Sequence, residues 1–312
     1  MGEMIDGLWN NDQELPIADA KTDEWKRTPS VVKNWVKSGS LDFPSTPGRY
    51  HLYAAWNCPW AHRVLLARAL LGLEDVLPTS YASPRRTSQG WVFETTSGLE
   101  DKVFSHQALH QVYAEGDQRY TGRVTVPLLF DTTANTLVSN ESADILRMLG
   151  TEFCQFGNKE INLVPDHLRS EIDDWNVRIH TQLNNGVYRA GFAGTQEAYD
   201  AAVDEVFNMM AILETRLGSR KFIHGDVITE TDLRLFPTLA RFDVGYALSF
   251  RCTRRRLIDH PNLWNYAREI YALPRIAATV DFDVYRRGYA SPSPNRNPLG
   301  IVPTAPDINW AL

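Results

Sequence analysis

The stretch "AAWNCPWAHRVLLARALLG", residues 54–72, changes character at Cys58. Upstream, "RYHLYAAW" (49–56) is rich in aromatic and apolar residues that suit a strand. Downstream, Val64, Leu65, Ala69 and Leu71 recur at helical spacing until Gly72. Pro59 suits a first helical turn, where its missing N–H would have had no partner. The stretch therefore reads as strand, turn and helix, with Cys58 at the helix N-terminus. There the unpaired N–H groups and the positive end of the helix dipole favour a thiolate. Position 61, where a two-cysteine redox motif would carry its second thiol, is alanine. A mixed disulfide formed at Cys58 must then be resolved by an external thiol. An isolated cysteine can equally be a small buried hydrophobe, but Cys-Pro at a strand-to-helix turn favours the reactive reading.

Working outward, "VLPTSYA" (76–82) and "VTVPLLFD" (124–131) read as further strands, "TLVSN" (136–140) as a hairpin partner, and "SADILRMLG" (142–150) as a helix closed by glycine. The order is βαβ, then ββα, over residues 49–150. Residues 83–123 are too long for a simple loop and hold the helix-like "EDKVFSHQALHQVYAEGD", an insertion in this domain. Residues 1–48 form an N-terminal extension and 151–164 a linker. From 165 the strand signal disappears: 165–184, 196–217, 230–247 and 262–273 are amphipathic helices of an all-helical domain spanning 165–282. The Pro/Ser/Asn-rich end, 283–312, reads as an extended arm with enough Tyr, Ile, Val and Trp to pack.

The 312 residues, 43% hydrophobic and 22% charged, suffice for two domains with cores of their own. A formal charge of -6 argues against a nucleic-acid surface, and the basic cluster "RCTRRRLID" (251–259) reads as a solvated helix face. No apolar run approaches the roughly 18 residues of a membrane span, and "MGEMIDGLWNNDQELP" has no secretory pattern. The default location is cytoplasmic. Three cysteines, Cys58, Cys154 and Cys252, have no disulfide or zinc spacing and read as free thiols. His106 and His110 are spaced for one metal, but "HQALH" lacks the central glutamate of a zinc hydrolase and no third ligand is evident, so they read as surface or packing residues. There is no phosphate-binding glycine loop and no GxSxG.

Two further elements bear on Cys58. In "VTVP", Pro127 opens an otherwise good strand, which requires either a cis Val126–Pro127 bond or an edge strand. With a cis bond, the Val126 backbone is open to an extended peptide. In "SNESADI" (139–145), Ser142 and the free N–H groups of a helix start can hold a carboxylate, and Glu141 an ammonium. A thiolate, an exposed strand backbone and a zwitterion-sized site together suit a small thiol peptide of the γ-glutamyl-cysteinyl-glycine type. "ITETD" places Thr229 three residues before Asp232, a structural capping box.

Over nearly the whole chain, "CPWAHR" (58–63), "GWVFE" (90–94), "YTGRVTVPLLFD" (120–131), "VSNESADILRM" (138–148), "GVYRAGFAGTQEAYD" (186–200), "FIHGDVITETDLRLFPTLARFD" (222–243), "HPNLWNYAREIY" (260–271) and "NPLGIVP" (297–303) resemble the glutathionyl-hydroquinone reductases, the Xi-class glutathione transferases related to the omega class. The resemblance implies a thioredoxin-like α/β domain followed by an all-α glutathione-transferase domain, a homodimer, and glutathione as co-substrate with no metal or nucleotide. It implies reduction of glutathionyl-hydroquinones, with Cys58 taking the glutathionyl group as a mixed disulfide. Trp91, Arg123, Val126, Pro127, Glu141 and Ser142 fall where the family binds glutathione. Tyr188 and Tyr289 match tyrosines on the side of the quinol conjugate, where a hydroxyl can donate to a phenolic oxygen or to the leaving carbanion. The family tail carries adjacent tyrosines, whereas here Gly288 precedes Tyr289. The alternatives are an omega-like transferase or thioltransferase using another small thiol such as mycothiol, and a non-catalytic binding protein on the same fold.

Overall fold

The computed structural model describes residues 2–11, 25–95, 98–294 and 296–312; part of the expected N-terminal extension, residues 12–24, lies outside them. The chain divides into two compact units, one of residues 1–15 and 29–161, the other of residues 16–28 and 162–312.

In the first unit, β1 (Glu3–Ile5) and β2 (Leu8–Asn10) form a hairpin around Asp6-Gly7, both at positive φ as so tight a turn demands. Next come β3 (Tyr50–Ala55), α1 (Pro59–Leu70), β4 (Thr79–Ala82), α2 (Leu109–Gly116), β5 (Leu128–Asp131), β6 (Thr136–Ser139) and α3 (Ser142–Met148). The sheet runs β4-β3-β5-β6, with β3 parallel to β4 and antiparallel to β5. This is the βαβ–ββα order of the thioredoxin-like fold. Every residue of β3 is buried, as a central strand covered on both faces requires.

The extension is less separate than the sequence suggests. Trp9 of β2 stacks on His110 at 4.9 Å and donates its indole N–H to the Ser88 carbonyl at 3.0 Å, fastening the hairpin to the 83–123 segment. Residues 32–34 run beside β6, where the Asn140 N–H donates to Val32 and the Asn34 N–H to Val138, at 3.1 and 2.8 Å. That pairing covers a sheet edge that would otherwise be open. The segment expected as a linker begins instead as a π-turn at Leu149–Phe153 and a 3-10 turn at Cys154–Phe156. Phe153 is fully buried edge-on to Tyr50, which anchors these turns to the first unit, and the boundary falls at 161/162.

In the second unit, α4 (Arg169–Ile179), α5 (Gly186–Gly191), α6 (Gln196–Leu217), α7 (Glu230–Arg241), the short α8 (Ala247–Ser249), α9 (Pro261–Tyr271) and α10 (Phe282–Tyr289) follow in order. α6 begins at its Thr195 cap and ends at Leu217, as its spacing predicts. Asp232 is buried and accepts from the N–H groups of Thr229 and Ile223 and the Tyr266 hydroxyl at 2.7, 3.0 and 2.8 Å, so the capping box is structural. The arm from 283 is not wholly extended. It opens with α10, capped by Asp281 and held by Tyr285, which is buried under the Arg241 guanidinium at 3.6 Å. Farther on, Trp310 packs at 4.8 Å on Trp264 and 4.9 Å on Phe282. The 251–259 cluster is a loop rather than a helix face: Arg254 pairs with Asp204 and Arg256 with Asp259. Among the described residues no helix is long and apolar enough to cross a membrane.

In β3, His51 is buried with Nε2 2.8 Å from the Ser80 hydroxyl, and burial pushes its pKa from the ordinary 6.5 down to about 4. Between those values the unfolded chain binds a proton that the folded chain refuses, so stability falls as pH falls from 6.5 to 4. At about 1.4 kcal/mol per pH unit, this one residue costs roughly 3 kcal/mol across the window. Denaturant unfolding at several pH values should show a smaller acid loss for His51→Gln than for the wild type.

Candidate active site

Cys58 caps α1 in an extended conformation, with Sγ 3.5 Å from the Ala61 N–H. Its thiol donates to the Val126 carbonyl at 3.4 Å. The Val126–Pro127 bond is cis and leads directly into β5. The fold thus brings together Cys58 and the Val126–Pro127 turn, two features separated by 68 positions. Cys58 is buried, 8% exposed, at the start of a helix whose first turns are buried too. Its neighbours Trp60 and His62 point into the core, and Trp60 carries the Arg63 guanidinium at 4.4 Å.

The other residues singled out in the sequence of this unit are Trp91, Arg123, Glu141 and Ser142. Trp91 is buried with the Arg86 guanidinium 4.2 Å above its ring, and its carbonyl receives the Leu109 N–H at the start of α2. Arg123 is half-buried three residues before Val126, and its carbonyl accepts from the Tyr120 hydroxyl at 2.9 Å. At the start of α3 the carboxylate that caps the helix is Glu141's own. It accepts from the Ala143 N–H at 3.1 Å, the Ser30 hydroxyl at 3.0 Å and, at 3.5 Å, the Ser142 hydroxyl. The Ala143 N–H, expected to serve a ligand carboxylate, is therefore engaged from within.

The 83–123 segment is pinned by Asp101, 2% exposed, which accepts from the Tyr53 hydroxyl and from the Val103 and His106 N–H groups at 2.9, 3.0 and 3.1 Å. His106 and His110 turn to separate partners, Glu115 and Gln89, as packing residues would.

The second unit contains a cluster of aromatic side chains. Tyr188 of α5 and Tyr289 at the end of α10 meet hydroxyl to hydroxyl at 2.9 Å, and Tyr289 meets Tyr246 at 3.0 Å. Trp25 stacks on Tyr188 at 5.6 Å, and Phe250 meets it edge-on at 5.2 Å. Burial raises the hydroxyl pKa values of Tyr246 and Tyr289 well above the ordinary phenol range, so both are neutral donors. Tyr246 was not singled out in the sequence. It sits in a π-turn at Phe242–Tyr246, next to Gly245, where a Cβ would stand 2.8 Å from the Tyr289 ring. A glycine inside an otherwise helical pattern was the available signal.

A thioredoxin-like unit with a cysteine capping its first helix beside a cis-proline turn, joined in one chain to an all-helical unit, defines the glutathione-transferase class. The glutathione S-transferase N-terminal domain family matches residues 57–152, and the C-terminal domain family residues 196–269. Glutathionyl-hydroquinone reductase YqjG of Escherichia coli is 40% identical over 98% of this chain and 95% of its own length. Glutathionyl-hydroquinone reductase PcpF of Sphingobium chlorophenolicum is 40% identical over 98% of this chain and 96% of its own. The Xi-class enzyme from Natrialba magadii superposes with a TM-score of 0.91 at 38% identity, over 99% of this chain and 94% of that one. The glutathione-bound structure of YqjG superposes at 0.88 and 39% identity, over 98% and 96%. The chain belongs to the glutathione S-transferases, in the Xi class with the glutathionyl-hydroquinone reductases.

Cys252 is fully buried, and burial pushes its pKa from 9.0 up to about 12. At any pH below 9 it holds on the order of a thousandth of the thiolate of an ordinary cysteine. Iodoacetamide labelling with peptide mapping should leave Cys252 unmodified in the folded protein and label it once denaturant is added.

Proposed function

We propose that this enzyme reduces glutathionyl-hydroquinones to hydroquinones at the expense of glutathione, with Cys58 as the nucleophile. The observation that carries the reading is a cysteine capping α1 against the Val126 carbonyl with alanine, not a second thiol, at position 61. Such a cysteine can accept a glutathionyl group but cannot expel it by forming its own disulfide. The shared family with YqjG and PcpF supports the choice of substrate.

In the first step the Cys58 thiolate attacks the sulfur of the conjugate. The bond between that sulfur and the ring carbon breaks, its electron pair stays on the carbon, and a proton completes the hydroquinone. Tyr188, hydrogen-bonded to Tyr289, is the group we assign to supply or orient that proton, because its partner hydroxyls are neutral and can relay one. In the second step the thiolate of a second glutathione attacks the Cys58–glutathione disulfide, giving glutathione disulfide and free Cys58. We assign the glutathione backbone to Val126 and the cis turn at Pro127, its glycyl carboxylate to Arg123, its γ-glutamyl end to Glu141 and Ser142, and Trp91 to the wall beside it. A cytoplasmic homodimer completes the reading. Three free thiols suit a reducing compartment, and light scattering of the purified protein tests the dimer.

Intact-protein mass spectrometry with glutathionyl-menadiol tests the chemistry. The wild type should gain one glutathione, on Cys58, and lose it when free glutathione is added, with quinol released in the first step. Cys58→Ala should form no adduct and lose on the order of 10³-fold or more in kcat/KM. No adduct on the wild type would overturn the mechanism.

A further inference from the structure

Arg296, in the C-terminal arm, lies against the aromatic cluster of the second unit. Its guanidinium carbon is 4.3 Å from the ring centre of Phe192 and 5.6 Å from that of Phe250. Both rings pack on Tyr188, at 6.3 and 5.2 Å. The arginine is half-buried, and that burial, with the charge of Arg251, holds its pKa below the ordinary guanidinium value.

Other arginines of this unit have found their anions: Arg189 holds Glu205 at 2.5 Å, Arg234 holds Glu230 at 2.9 Å and Arg254 holds Asp204 at 2.5 Å. Among the described residues no carboxylate pairs with Arg296 or with Arg251, whose donors reach the Ala190 and Gly191 carbonyls at 3.4 and 3.5 Å. Two positive charges therefore act on each other at one edge of the tyrosine cluster, with no acid among the described residues to offset them. An aromatic face retains a guanidinium through its quadrupole and strips part of its hydration, yet leaves the in-plane N–H donors available. Those donors match a carboxylate in bidentate geometry.

We propose that Arg296 is a specificity-determining residue that receives an anionic substituent, of the carboxylate type, on the aromatic half of the substrate. The inference rests on the reading that Tyr188 serves the hydroquinone half, and it narrows the substrate class to conjugates of hydroquinones that carry an acid group. The ring of such a substrate sits among uncharged hydroxyls and apolar rings, and the acid group supplies a counter-charge to Arg296 at their edge.

The test compares two conjugates, glutathionyl-menadiol and the glutathionyl conjugate of 2,5-dihydroxybenzoate, on the wild type, Arg296→Gln and Arg296→Lys. Arg296→Gln should lower kcat/KM for the carboxylated conjugate at least tenfold more than for the neutral one, mainly through KM. Arg296→Lys, which keeps the charge and loses the fork, should restore part of the preference. Equal losses on both conjugates, or a preference unchanged in Arg296→Gln, would overturn the proposal. If the wild type turns over neither conjugate, it is the reductase reading that fails. Fluorescence titration with free 2,5-dihydroxybenzoate then decides: weaker binding to Arg296→Gln than to wild type supports the anion site, and equal binding refutes it.

Discussion

The chemistry of this protein depends on one local constraint: β3 must end and α1 begin within three residues, so that the residue capping the helix is Cys58. Ala55 is the last residue of the strand and Pro59 the first of the helix. The sheet supplies the other half of the constraint. β3 and β5 run antiparallel with Tyr53 opposite Leu128, so the chain entering β5 approaches the end of β3 from the cis Val126–Pro127 turn. The thiol thus rests between a helix N–H and the carbonyl of the cis turn, at 3.5 and 3.4 Å. Asp101, gripping the Tyr53 hydroxyl, ties the 83–123 segment to the same strand two residues before its end. A nucleophile placed by backbone geometry in this way needs no support from the side chain at position 61.

A different balance governs the tyrosines of the second unit. Arg241 is fully buried, against the Tyr285 ring at 3.6 Å and the Pro237 carbonyl at 3.0 Å, and its positive charge favours ionisation of the nearby phenols. Desolvation opposes it and is the larger effect at Tyr246, Tyr285 and Tyr289, whose pKa values all rise. The outcome is a connected set of hydroxyls that stay protonated near neutral pH. Such a set can donate to a phenolic oxygen or pass a proton without holding negative charge against the electron-rich ring of a hydroquinone.

How much of this could be read in the sequence follows the range of the interactions involved. The Cys-Pro turn, the proline before β5, the Thr229–Asp232 box and the long α6 all announce themselves within a few residues, and the structure holds each where the spacing put it. The edge cover by residues 32–34 did not, because it is made of backbone bonds to β6, more than a hundred positions away, by a segment with no period of its own. The β1–β2 hairpin had a legible signal in Asp6-Gly7 that its short strands made easy to pass over. α10 was hidden by its composition: only Tyr285 on it is fully buried, and its stability comes from Arg241, a residue more than forty positions upstream. At α3, a serine and an acid before a helix allow either to serve as the cap. The choice of Glu141 depends on Ser30, distant in sequence, which donates to its second oxygen.

The two kinds of legibility correspond to two kinds of evolutionary freedom. The thiol's position is fixed by a strand end, a helix start and a cis turn, each of which would disrupt a packed sheet if altered. The arm beyond α10 is fixed at scattered points, by Trp310 on Trp264 and Phe282, by the Arg286 guanidinium on the Pro303 carbonyl at 2.6 Å, and by the Asn297 amide on the Ala290 carbonyl at 2.6 Å. Arg296 lies in that arm and adds a charge on Phe192. Arg296 and Cys58 lie in different units, so a change at the proposed selectivity residue leaves the strand end, helix cap and cis turn around the thiol as they are.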